Sequence, residues 1–127
     1  MTGKQQKGLG MHVHKIGGKF LCDAFGFKKA GEVIKGFGEG RYLIVVSAVA
    51  FVTRKLSSIF DATKEGDFFT KKLLLNSLKD VHMDIISKIF RDENQGSVIL
   101  VFSRMLDDLE KILSTGKFSS AEKAIVL

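Results

Sequence analysis

At 127 residues, 45% hydrophobic and formally +6 at pH 7, the chain is one domain or part of one, packed rather than disordered. Its cations are dispersed, densest at Lys4/Lys7, Lys28/Lys29 and Lys71/Lys72. With no run of five like charges and no aromatic-interleaved basic motif, they form a solvated basic surface suited to anionic substrates rather than to nucleic acid. The single cysteine, Cys22, excludes an internal disulfide and points to a reducing, cytoplasmic compartment, and no apolar run approaches the roughly 18 residues of a membrane span.

Met1 to Gly10 carries lysines and glycines without an apolar stretch, so it reads as a mobile tail and not as a secretory signal. Met11 to Ile16 (MHVHKI) alternates, with Met11, Val13 and Lys15 on one face and His12, His14 and Ile16 on the other, as a short strand does. His12 and His14 share a face, but no third metal ligand stands near them in sequence; surface or satisfied imidazoles are the expectation, and no metal site. Gly17-Gly18 closes the strand. Glycines at such a turn let backbone N–H groups approach a phosphate, and a following helix adds its positive N-terminal end.

Ala24 to Phe37 places Ala30, Val33, Ile34 and Phe37 at helical spacing, and Gly36, Gly38 and Gly40 stop it. Tyr42 to Val46 (YLIVV) is a continuous apolar run, the pattern of a parallel strand buried on both faces. Strand, helix and strand in so short a span predict a right-handed βαβ unit over 11–56. In such sheets ligands bind beyond the carboxyl ends of the strands. Lys15 to Gly18 and Ser47 to Thr53 both lie there, so Lys15, Ser47 and Thr53 are expected to converge on one crevice.

From Val52 the chain is read as helical, a region covering 57–127. Val52 to Lys64 sets Val52, Leu56, Ile59 and Phe60 on one face, Glu65-Gly66-Asp67 breaks the helix, and Asp67 suits an N-cap of the next. Phe68 to Phe90 carries Leu74, Leu78, Val81, Ile85 and Ile89, with His82 inside that stripe as a packed histidine. Asp92 to Gly96 reads as a loop, and Ser97 to Ser114 as a helix, although Val98 to Phe102 (VILVF) also fits a strand. Ser119 and Glu122 have capping-box spacing and predict a last helix. Two strands do not make a stable parallel sheet alone, so an edge stays open or another chain or domain completes it.

Lys15-Ile16-Gly17-Gly18, and Val45-Val46-Ser47-Ala48 with Val52-Thr53 following, resemble the opening of an aspartate kinase, a member of the amino-acid kinase superfamily. The resemblance extends in order and spacing over 11–127, including a helical insertion with a histidine in its long helix, matched by His82. It implies an α/β chain with a partial three-layer αβα amino-acid kinase fold. It also implies Mg-ATP as phosphoryl donor and aspartate as acceptor through its side-chain carboxylate. Lys15 would neutralise the transferring phosphoryl, Gly17 and Gly18 would donate backbone N–H groups to it, Ser47 would hold phosphate or substrate, and Thr53 would contact aspartate. Phosphoryl transfer depends on positioning and charge stabilisation, which these residue types supply.

The sequence departs from the family where Lys19-Phe20 replaces Thr-Ser and where Phe51 stands in place of a glycine. The family's aspartate-binding Glu and Arg and its nucleotide-binding half fall outside these 127 residues. The expectation is therefore a chain inactive alone, acting with a second kinase segment or as a homo-oligomer. The alternative is a non-catalytic interaction or regulatory protein derived from a kinase lobe.

Overall fold

The computed structural model describes residues 10–115. The tail expected over 1–10, apart from Gly10, and the helix expected from Ser119 lie outside these residues. The elements run β1 (Met11–Ile16), α1 (Ala24–Lys35), β2 (Arg41–Val46), α2 (Val52–Glu65), α3 (Phe68–Ile89) and α4 (Asp92–Ser114). The chain is mixed α/β, mostly helical, with one two-stranded parallel sheet in which Met11 pairs with Arg41 and Ile16 with Val46.

Helix α1 starts where Asp23 turns extended and its carboxylate accepts the Gly26 N–H at 2.8 Å. It then packs on the sheet through Ala30, Phe27 and Ile34, which meet Ile16, Leu21 and Ile44. This close seating depends on Gly26. A Cβ at that position would stand 1.6 Å from the Phe20 carbonyl oxygen. The helix ends at Lys35, two residues earlier than its apolar spacing suggests. Val33 is half exposed, and Phe37 leaves the helix to stack on His14 at 4.1 Å and on Tyr42 at 5.1 Å. His12 stacks on Tyr42 as well, so both histidines belong to an aromatic cluster on the α1 side of the sheet.

The reading of β2 as buried on both faces is corrected. Leu43 and Val45 are exposed, as are Met11 and Val13 beside them, because no described element covers that face of the sheet. The apolar run reflects a face left bare, not one enclosed.

A larger core lies among the helices. Val52, Leu56, Ile59 and Phe60 of α2 meet Leu78 of α3 and Leu109 and Leu113 of α4, with Ile59, Phe60 and Leu113 essentially inaccessible. Truncating a side chain such as Phe60 to alanine removes about 3–5 kcal/mol. Lys55 Nζ donates to Ser77 Oγ at 2.9 Å across the α2–α3 contact.

The α2–α3 joint is two residues long. Gly66 sits at φ 72°, its N–H reaching the Thr63 carbonyl while the Asp67 N–H reaches that of Ala62, a left-handed helix stop that favours glycine. Asp67 at once caps α3, its carboxylate accepting both the N–H and the hydroxyl of Thr70. Helix α4 begins at Asp92, so the expected loop over 92–96 is its first turn. Val98 to Phe102 is helical, which settles the strand alternative.

Three substitutions test this packing and capping. Gly26→Ala lowers stability in urea by about 3 kcal/mol through the clash with Phe20. Gly31→Ala, where an added Cβ meets nothing within 4 Å, instead gains about 0.5–1 kcal/mol. The Thr70 hydroxyl and N–H hold the Asp67 carboxyl below its ordinary value. Its stabilisation is thus full above the ordinary aspartate range and lost as pH falls through the lowered folded value. The stability gap between the protein and its Asp67→Asn variant narrows in acid melts, and a gap that widens would refute the cap.

Candidate functional site

The ends of β1 and β2 deliver two loops side by side. The Ser47 N–H donates to the Ile16 carbonyl at 3.1 Å, extending the parallel ladder by one rung, and the Ala50 N–H donates to the Leu21 carbonyl at 2.9 Å. These bonds place the Gly17-Gly18 turn against Ser47-Ala48. A Cβ built on Gly18 would lie 3.5 Å from Ser47 Oγ, so the glycine backbone faces the serine hydroxyl.

The turn itself is closed by the Phe20 N–H donating to the Gly17 carbonyl at 3.1 Å. Among the described residues the N–H groups of Gly17, Gly18 and Lys19 find no backbone acceptor. Three successive N–H groups left without a backbone acceptor can donate to an anion. Gly17 has open space where a Cβ would stand, leaving its backbone accessible.

Lys15 lies at the end of β1 on the bare face with Met11 and Val13, opposite Val45 in the ladder, and its side chain is exposed. Ser47 Oγ donates to its neighbour's carbonyl, Ala48, at 2.7 Å, which leaves the oxygen free to accept. Thr53 is exposed in the first turn of α2.

A hollow of about 190 Å³ adjoins the β1 end, lined by His14, Lys15, Ile16, Gly17, Phe20, Ala30, Val33 and Phe37. Gly17 lines this hollow, which Lys15 only borders at β1 because its side chain belongs to the opposite, bare face; Gly18 and Ser47 share the adjoining loop contact, and Thr53 lies outside the hollow's lining. Phe20, one of the departures from the family pattern, forms part of its apolar wall.

Phe51, the other departure, holds φ 67° and ψ −3°, the left-handed region, as the residue before α2. Its ring is 71% exposed and covers no core. A glycine meets this backbone without the steric cost that a Cβ brings. The sequence offered a sign of this position only through the resemblance, in which a glycine stands there. The α2 start carries no side-chain cap.

His82 has a packing role. Its Nδ1 lies 2.7 Å from the Leu78 carbonyl and its ring stacks on Phe102 at 4.9 Å. Among the described residues no three His, Cys, Asp or Glu side chains gather to hold a metal, and His12 and His14 stand without a third ligand. No described helix is long and apolar enough to cross a membrane.

Because Phe51 is exposed and its backbone is left-handed, Phe51→Gly raises the urea midpoint by the equivalent of about 0.5–1 kcal/mol. Phe51→Ala, which keeps the Cβ, brings no such gain. Equal effects of the two substitutions would show that the backbone is not strained there.

With the geometry in view, the comparisons with known proteins add no relative: no protein-family model matches the chain, and no curated protein matches it.

Proposed function

We propose that the chain is the phosphoryl-binding part of an aspartate kinase-like phosphotransferase of the cytoplasm, with a partial αβα amino-acid kinase fold. The observation that carries this reading is the Gly18 backbone set against the Ser47 hydroxyl, beside the N–H groups of Gly17, Gly18 and Lys19. The sequence motifs that resemble the family, ending in Gly17-Gly18 and Ser47-Ala48, fall on these two loops.

The reaction moves the γ-phosphoryl of Mg-ATP to the side-chain carboxylate of aspartate, giving aspartyl phosphate and ADP. Negative charge spreads over the phosphoryl oxygens as the donor bond breaks. Fixed N–H dipoles from the turn and the Lys15 ammonium lower the energy of that charge. Ser47 Oγ binds phosphate or substrate, and Thr53, in the first turn of α2, contacts the aspartate. Magnesium arrives as part of the nucleotide complex. A second kinase segment or a further copy of the chain supplies the remaining contacts to nucleotide and aspartate, and the bare sheet face of Met11, Val13, Leu43 and Val45 offers a surface for it.

A second reading has its own support. Phe20 forms an apolar wall where the family carries a serine, and the same bare face suits a protein that binds another subunit without catalysis.

Titration of the isotopically labelled chain with Mg-ATP separates the two. The phosphoryl-site reading expects amide shifts confined to Gly17, Gly18, Lys19 and Ser47, weakened about tenfold or more by Lys15→Ala, the scale of one lost charge-assisted contact. Unmoved amides at those positions up to millimolar nucleotide would leave the interaction protein as the surviving reading.

A further inference from the structure

A groove of about 660 Å³ runs between α1, α3 and α4 and reaches the β2–α2 loop only at Val49. Its walls are apolar: Ile85 and Ile89 on α3, Val98, Val101 and Phe102 on α4, and Phe27 on α1. Its size lies within the range of small-molecule sites, about 300–1,000 Å³. Helix α4 reaches the α2–α3 core only through its later turns, at Leu109 and Leu113. Its earlier apolar residues stand open, with Val101 57% and Met105 64% exposed.

The lip on α1 is charged. Lys28 and Lys35 lie seven positions apart, two helical turns, and so share one face about 10 Å apart along the axis. Glu32 lies between them, with its carboxylate 3.8 Å from Lys29 Nζ. The lip therefore carries two ammonium groups against one carboxylate. His82 is the remaining titratable lining group, tied by Nδ1 to the Leu78 carbonyl. Gly31 opens the wall between the two lysines, since nothing lies within 4 Å of where its Cβ would be.

We propose that this groove binds a fatty-acid-type monocarboxylate, its alkyl chain along α3 and α4 and its head at Lys28 and Lys35. An apolar channel with a cationic lip matches an apolar chain with an anionic end, both in hydration and in charge. A second copy of this chain, formally +6, would bring a like-charged lip to the same place.

The test is calorimetry and methyl NMR on the full chain with dodecanoate, dodecanol and dodecyltrimethylammonium as probes. One saturable dodecanoate site is expected, with shifts at Ile85, Ile89, Val98 and Val101. Dodecanol and the cation bind about tenfold or more weakly. Lys28→Glu/Lys35→Glu, on exposed positions that leave the fold intact, lowers dodecanoate affinity by at least the same factor. Gly31→Leu fills the groove and abolishes binding while circular dichroism shows an unchanged fold. Equal binding of all three probes would mean detergent-like adsorption and would overturn the proposal. So would methyl shifts outside the groove, or a dimer in sedimentation that dodecanoate leaves intact.

Discussion

Parallel strands can pair only when a connection returns the chain to the same end of the sheet, and α1 is that connection. It lies close to the strands because the turn after β1 presses the Phe20 carbonyl against Gly26, where no side chain intervenes. With α1 seated, Ile16 and Leu21 are enclosed by Ala30, Phe27 and Ile34. Two backbone bonds, Ser47 to Ile16 and Ala50 to Leu21, then hold the outgoing loops together. The meeting of Gly18 with Ser47 is a consequence of this seating. The candidate site therefore depends on a contact made on the far side of the β1 turn.

The apolar interior has two parts of unequal size. The cluster between the sheet and α1 has three buried hydrophobics, whereas that among α2, α3 and α4 has seven. A two-stranded sheet is marginal by itself, so the larger helical core is what the smaller one leans on, through the packing of α1 against α3. The α1–α3 contact is also one wall of the groove. The same junction thus joins the two cores and leaves space between them.

Much of this arrangement was readable from residue order. The alternation of Met11 to Ile16, the run Tyr42 to Val46 and the intervening apolar spacing fixed a strand–helix–strand unit. The Gly66-Asp67 pair marked the helix joint correctly, because each residue type has a local backbone reason to be there. What escaped sequence reasoning depends on distant neighbours. An apolar run reads alike whether its second face is covered or bare, so Leu43 and Val45 misled. Gly26 looks like a weak point in a helix until the Phe20 carbonyl is seen beside it. Asp92 to Gly96 looks like a loop because its residues favour turns, yet they continue into α4. For the site, the rule of strand ends led to the expectation that Lys15, Ser47 and Thr53 converge, whereas the contact seen is between Gly18 and Ser47. The rule could not show that Phe20 would form a wall of the hollow beside the β1 end, nor that Thr53 would lie outside it.

The joint at Gly66-Asp67 also bears on the order in which the chain organises itself. Helices joined by two residues meet with little loss of loop entropy, and their contacts are local in sequence. The β1–β2 ladder instead joins residues 30 positions apart, as at Met11 and Arg41. Folding that starts with the α2–α3 hairpin leaves both strands waiting with unpaired backbone edges. During that interval the nascent chain is most prone to pair with a neighbour, and the speed with which α1 docks sets how long the interval lasts.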